Sequence, residues 1–167
     1  NLPDLRAAVD NALQTSGSEN LYVMLMSLEN LMGNHAAITQ ALEKYVAVHP
    51  DNVDATFELA DIRAAEAWKL VEDNPQTSAP LDQLNAAADR ASHALWNAVR
   101  VKPYAPEPYN KLIALYNLYN QPEKAREVPR HLADRPNATA EEVHLAAYIY
   151  ATQGYPELSI PLYERAL

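Results

Sequence analysis

Apolar residues recur along this chain at spacings of three and four, the interval that puts side chains on one face of an α-helix. Leu5, Ala8, Val9, Ala12 and Leu13 predict a short amphipathic helix over Pro3 to Gln14, interrupted by Ser16-Gly17-Ser18. Leu21, Tyr22, Leu25, Leu28 and Leu31 predict a second, opened by a capping-box spacing between Ser16 and Glu19 and ended by Gly33-Asn34. Ile38, Leu42, Tyr45 and Val46 mark a third, which stops at His49-Pro50, after which Asp51 or Asn52 can cap the next. Phe57, Ala60, Ala64, Ala67, Trp68 and Val71 then hold the helical period to Asp73, about six turns without a breaker. Beyond the loop 74–80, Leu84, Ala88, Ala91, Leu95, Ala98 and Val99 predict an equally long partner running to Lys102. Two further pairs follow, Pro106 to Tyr119 with Pro122 to Ala133, and Thr139 to Thr152 with Pro156 to Leu167. Thr139 and Glu142 repeat the capping-box spacing.

Composition narrows this to an all-α chain. Ala and Leu supply 50 of the 167 residues and Gly only three, and both common residues lose little side-chain freedom in a helix. The length suits one domain with a sizeable core and is short for two. Most of the 12 prolines stand at helix edges, where a missing N–H costs little. The absence of cysteine excludes disulfide scaffolds, thiolate nucleophiles, Fe–S clusters and Cys-type zinc sites, and leaves the compartment open. A net charge of −9 repels phosphate backbones and anionic headgroups, which disfavours nucleic-acid and membrane-surface roles. No apolar run approaches the roughly 20 residues that cross a bilayer. A start at Asn1 without Met suggests processing or an excised piece.

The chain also repeats itself. Tyr116, Pro122 and Glu123 recur as Tyr150, Pro156 and Glu157, each 34 residues on, and Asn120 falls on Gly154 in the same turn. Thirty-four residues hold two helices and two short turns. With Tyr109, Leu112, Tyr116, Ala125 and Pro136 in one unit, the chain resembles the tetratricopeptide repeat family. Tyr150, Gly154, Tyr163, Ala166 and Leu167 trace another unit; Tyr22, Leu25, Gly33, Leu42 and Pro50 an earlier one; Leu59, Ala60, Ala91, Leu95, Ala98 and Pro103 the remaining one. The resemblance implies an all-α, right-handed superhelical solenoid of antiparallel helix pairs in a single domain spanning 1–167. A preceding helix occupies 1–17, and the repeats occupy 19–52, 53–105, 106–139 and 140–167, the last truncated. Small residues such as Ala60, Ala91, Ala125 and Ala147 let helix axes approach while larger ones fill the gaps.

Departures from the pattern carry information. Ile113 and Met26 replace the usual small residue, Pro129 stands where an aromatic is expected, and Pro136 arrives one residue early. Pro50 and Pro103 lie 53 residues apart, so the second pair is expected to be elongated, its hairpin tip near Asn74 to Pro80 protruding roughly 10 Å. At the ends, Pro3 to Gln14 reads like the second helix of a preceding unit, and Leu158, Leu162 and Leu167 are expected to be partly bare. A longer array, or ends that pair with another molecule, would cover them.

Catalytic signatures are missing: the sequence holds no G-x-G-x-x-G, P-loop, G-x-S-x-G or H-E-x-x-H. The histidines are scattered, and the one metal-like spacing, Asp89 with His93, reads better as a helix-surface contact. Glu141 and Glu142 in a first helical turn complement the helix dipole without any substrate. The sequon Asn137-Ala138-Thr139 matters only in a secretory setting and reads otherwise as coincidence. No enzyme, metal or cofactor is therefore expected. Eight of ten tyrosines follow residue 100. Tyr109, Tyr116, Tyr150 and Tyr163 occupy packing positions of the repeat, leaving Tyr119, Tyr148 and Tyr155 as interface candidates. Residues 1–83 hold four basic and 13 acidic side chains, and residues 84–167 hold nine of each.

In the family the first helix of each pair lines the concave groove. The resemblance therefore implies partner contacts at Asn30; at Asp54, Phe57 and Asp61; at Glu107, Asn110 and Asn117; and at His144 and Tyr148, with Val23, Ser27, Ala114 and Thr152 beside them. Members that clamp a peptide's carboxylate use Lys, Arg and Asn at such sites. Here Asp54, Glu58, Asp61 and Glu107 stand instead, so a neutral or basic protein or peptide is the expected partner of a non-enzymatic scaffold. The alternative is self-assembly into homo-oligomers as a structural module of a larger multi-repeat protein.

Overall fold

The computed structural model describes residues 1–16, 18–73 and 81–167, and every regular element among the described residues is a helix. The chain divides into two compact units, Asn1–Ile62 and Arg63–Leu167, with the division inside helix α4 (Val53–Glu72).

In the first unit α2 (Glu19–Leu31) packs on both α1 (Leu2–Ser16) and α3 (His35–Val48). Val9, Leu25, Leu28 and Ala41 form the core, with Leu13, Leu21 and Met26 against it. The predicted stripe on α2 is buried at Tyr22, Leu25 and Leu28, but Leu31 at its end is 70% exposed. The Tyr22 and Tyr45 rings meet at 5.3 Å, and the Tyr45 hydroxyl accepts from Asn52 Nδ2 at 2.9 Å. Asn52 Oδ1 also accepts from the Ala55 N–H at 3.0 Å, so Asn52 takes the cap that the sequence left between it and Asp51. The capping box expected from Ser16 is displaced. Helix α1 runs through Ser16, since a helix once nucleated propagates past its last apolar residue, and the N-cap of α2 is Ser18, with no side-chain bond.

The second unit continues α4 into α5 (Leu81–Val101), α6 (Pro106–Leu118), α7 (Pro122–Glu127), α8 (Arg130–Ala133), α9 (Ala140–Thr152) and α10 (Pro156–Ala166). Here α6 packs on α5 and α7, and α9 on α8 and α10, so helices adjacent in sequence form antiparallel hairpins. In addition α6 packs on α9, which sets the first helix of one pair beside the first helix of the next. That is the stacking expected of a repeat array. Helices α4 and α5 have 20 and 21 residues against 13 in α6 and α9, about 30 Å each, which is the expected elongation. The hairpin tip at 74–80 lies outside the described residues. Buried alanines at 64, 67, 87, 88, 91, 94 and 98 leave no bulk between these long helices and their neighbours.

One predicted helix is two. The run from Pro122 to Ala133 breaks into α7 and α8 at Val128-Pro129. Pro129 has no N–H to donate, and its ring displaces the carbonyl one turn back. The break places both Val128 and Pro129 in the interior.

Three helix ends share one backbone device. Gly33, Asn120 and Gly154 have φ of 68°, 54° and 80°, the left-handed conformation. Around each, two N–H groups return to the helix: Gly33 to the Asn30 carbonyl and Asn34 to Glu29; Asn120 to Asn117 and Gln121 to Tyr116; Gly154 to Ala151 and Tyr155 to Tyr150. This is the Schellman motif three times over, and it turns each first helix directly into its second. The predicted capping box at α9 forms in full: the Glu142 N–H donates to Thr139 Oγ1 at 3.2 Å, and the Thr139 N–H to Glu142 Oε2 at 2.9 Å.

Candidate functional site

Side chains needed to bury a helix are spent inward, so the surface open to contacts is what the helices leave outward. On α2, Asn30 is exposed, as are Val23 and Ser27, whose hydroxyl donates to the Val23 carbonyl at 2.9 Å. On α4, Asp54, Phe57 and Asp61 lie at i, i+3 and i+7, hence on one face; the two aspartates are exposed and Phe57 is half-buried. Glu58 is exposed beside them. The first unit thus presents an acidic face with one aromatic ring.

In the second unit α6 and α9 form a joint surface. Glu107 is exposed and accepts from Lys111 Nζ at 2.8 Å. Asn110 is half-buried and accepts at Oδ1 from Gln153 Nε2 at 3.4 Å, a bond that ties α6 to the end of α9. Asn117 is exposed. On α9, His144 and Tyr148 are one turn apart and both exposed; the His144 ring stands edge-on to Tyr163 of α10 at 5.2 Å. These two residues line an open groove of about 520 Å³ with Tyr104, Ala140, Glu141, Leu145 and Ala166. The structure therefore brings together His144 with Tyr148, and Asn110 with α9.

Tyr104, Glu141 and Leu145 are groove residues that sequence reasoning missed. Tyr104 arrives there through the turn after α5, far away in sequence, so only its Pro103 neighbour and its place outside the repeat pattern hinted at exposure, which is 52%. The tyrosines divide differently from the expectation. Tyr109 and Tyr150 are buried, as their packing positions require, while Tyr116 and Tyr163 are half-buried. Tyr119 is structural: its hydroxyl donates to the Ala67 carbonyl at 3.0 Å. Tyr155 packs edge-on against Tyr150 at 6.3 Å beneath the Arg126 guanidinium. Of the three interface candidates only Tyr148, 46% exposed, faces solvent.

Burial pushes the Tyr109 phenol up to about 12, with Arg135 opposing and Glu142 and Tyr104 adding to the rise. Burial also raises Tyr45, Tyr119 and Tyr150. All four hydroxyls have structural partners, the Tyr109 hydroxyl donating to the Pro103 carbonyl at 2.9 Å and that of Tyr150 to the Arg126 carbonyl at 2.6 Å. Asp89 and His93 are exposed on α5, where a His93 ring nitrogen meets Asn97 Nδ2 at 3.5 Å. No described helix is long and apolar enough to cross a membrane.

No family model matches the chain, and no curated protein matches it. Solved structures do. A monomeric mutant of IFIT1 with Gppp-AAAA is 14% identical with a TM-score of 0.53, covering 95% of this chain and 49% of that one. TTC0263, a thermophilic TPR protein in Thermus thermophilus, is 17% identical with a TM-score of 0.46 over 99% of this chain and 81% of its own. MamA is 14% identical with a TM-score of 0.44 over 99% and 86%. At these identities the likeness is one of fold. The chain's fold is that of a tetratricopeptide-repeat protein.

Proposed function

We propose that the chain is a non-enzymatic interaction scaffold that holds a protein or peptide segment along its first helices, at Asn30, Asp54, Phe57 and Asp61 in the first unit and at Glu107, Asn110, Asn117, His144 and Tyr148 in the second. Its repeats are 19–52, 53–105, 106–139 and 140–167, a division supported by the left-handed turns at Gly33, Asn120 and Gly154. One observation carries the reading: on α9 an exposed His144 and Tyr148 adjoin an open groove, while Tyr119 and Tyr155 are spent on structure. Amphipathic rings left in solvent at a concave site bind at low entropic cost. The acidic face at Asp54, Glu58 and Asp61 favours a neutral or basic segment over an acidic one.

The test is site-specific cross-linking. A photoreactive phenylalanine replacing Asn117 or Tyr148 should capture a discrete partner from native extract, and one replacing Glu123 on α7 should not. Equal capture from all three positions, or none from the first two, refutes the assignment.

A second reading, self-assembly, is favoured by α10, where Ile160 is 56% exposed and Leu158 and Leu162 are half-buried. Light scattering over a concentration series, repeated with Ile160→Glu, separates the two. A mass that rises with concentration and returns to the monomer in the variant supports self-assembly.

A further inference from the structure

The groove on α9 has a specific chemistry. Its lining holds two exposed tyrosines, Tyr104 at 52% and Tyr148 at 46%, the exposed Glu141 carboxylate, and the His144 ring. Ala140, Leu145 and Ala166 supply the apolar part of the lining. No lysine or arginine is among the lining residues. Glu141 makes no ion pair and the Tyr148 hydroxyl no hydrogen bond among the described residues, whereas the adjacent Glu142 is fully used by Arg135 at 2.9 Å and by the capping box. The groove's volume of about 520 Å³ lies within the range of pockets that enclose ligand groups. Aromatic faces attract a cation within about 6 Å, a planar guanidinium stacks on them better than an ammonium, and a lone carboxylate supplies the counter-charge.

We propose that this groove receives an arginine side chain of the bound segment, its guanidinium lying against Tyr104 and Tyr148 and facing Glu141, with the aliphatic stem over Leu145 and the alanines. The proposal rests on the groove reading above and names the chemistry of what enters it. Lysine, with its compact and strongly hydrated ammonium, binds there more weakly.

The experiment uses the whole 167-residue chain with carbon-13-labelled tyrosine rings, titrated by NMR with the methylamides of N-acetyl-arginine, N-acetyl-norleucine and N-acetyl-glutamate. The arginine compound should shift the Tyr104 and Tyr148 signals with a dissociation constant about tenfold below that of norleucine, and the glutamate compound should shift neither. Glu141→Gln should bring arginine and norleucine within about threefold, and Tyr148→Leu, which keeps the apolar surface, should abolish the preference. Unmoved tyrosine signals, equal constants, or an arginine preference that survives either substitution overturns the proposal. If cross-linking at Asn117 and Tyr148 still succeeds in that event, the scaffold reading stands and only the cation is wrong.

Discussion

Glu29 carries a carboxylate into the interior of the first unit, where its side chain is 1% exposed and Arg6 meets one oxygen at 2.7 Å. The other oxygen is buried without a partner among the described residues. Such a pair is costly to desolvate and costlier to break, because removing the cation strands a buried charge. Arg6 is itself 41% exposed and shared with Asp10 at 3.0 Å, so solvent screens part of the interaction. Arg6→Ala should therefore cost about 2–3 kcal/mol in urea denaturation, whereas Arg6→Met with Glu29→Leu should restore most of it. Tyr109 makes a second residue-scale argument. Unfolded, its phenol ionises near 10; folded, it keeps its proton to about 12. The folded state then binds more protons across that window, so stability is intact below pH about 10 and falls as pH climbs toward 12. Tyr109→Phe should lose about 1 kcal/mol near neutrality with the Pro103 hydrogen bond, yet lose less between pH 10 and 12 than the parent, by circular dichroism. Tyr45, Tyr119 and Tyr150 keep part of the slope in the variant. Neither Glu29 nor Tyr119 betrays its role in sequence. Glu29 sits between Leu28 and Asn30 like any surface glutamate, and the partner of Tyr119 lies on a helix that precedes it by 52 residues.

At the scale of elements, periodicity located the helices because burial selects one face and Schellman turns stop the first helix of a pair at a fixed place. The equivalence of Asn120 and Gly154 was readable from spacing alone, and Gly33 joins them in the structure. What spacing missed were local competitions. Pro129, where the repeat pattern expects an aromatic, divides a helix, and Ser16, whose spacing to Glu19 predicts a cap, is absorbed by α1. On the proposed binding face, Tyr148 was legible from its outward position on α9, but its grouping with Tyr104 needs the tertiary fold. The turn itself gives a prediction. A Cβ at Gly154 meets nothing within 4 Å, so only its φ of 80° opposes a side chain there. Gly154→Ala should cost about 1–2 kcal/mol, and Gly154→Asn clearly less, since asparagine tolerates this conformation and occupies it at position 120. Denaturant midpoints with unchanged slopes would establish that the loss is conformational. Equal costs for the two variants would mean that something other than the backbone dihedral sets the turn.

Across the whole molecule the net charge of −9 is unevenly held. The first unit, Asn1–Ile62, carries two basic and nine acidic side chains, and the second, Arg63–Leu167, carries 11 basic and 13 acidic. Like charges crowded into 62 residues oppose compaction, and that opposition is screened by salt. Raising salt from about 0.01 M to about 0.15 M shortens the screening length from about 30 Å to about 8 Å, below the dimensions of the unit. The surface pair of Arg6 with Asp10 weakens at the same time, but such pairs contribute little, and the Arg6–Glu29 pair is held at a buried carboxylate that salt reaches poorly. Relief of repulsion should win. Amide exchange at Leu25 and Leu42, buried in the first unit, should slow by up to about fivefold over that range, about 1 kcal/mol. Exchange at Leu112 and Ile149 in the second unit should change by less than half as much on a logarithmic scale. The same field would steer the cationic segment proposed above toward the first unit before any contact forms. If salt leaves exchange at Leu25 and Leu42 unchanged or speeds it, the acidic residues are locally compensated and cannot supply that steering.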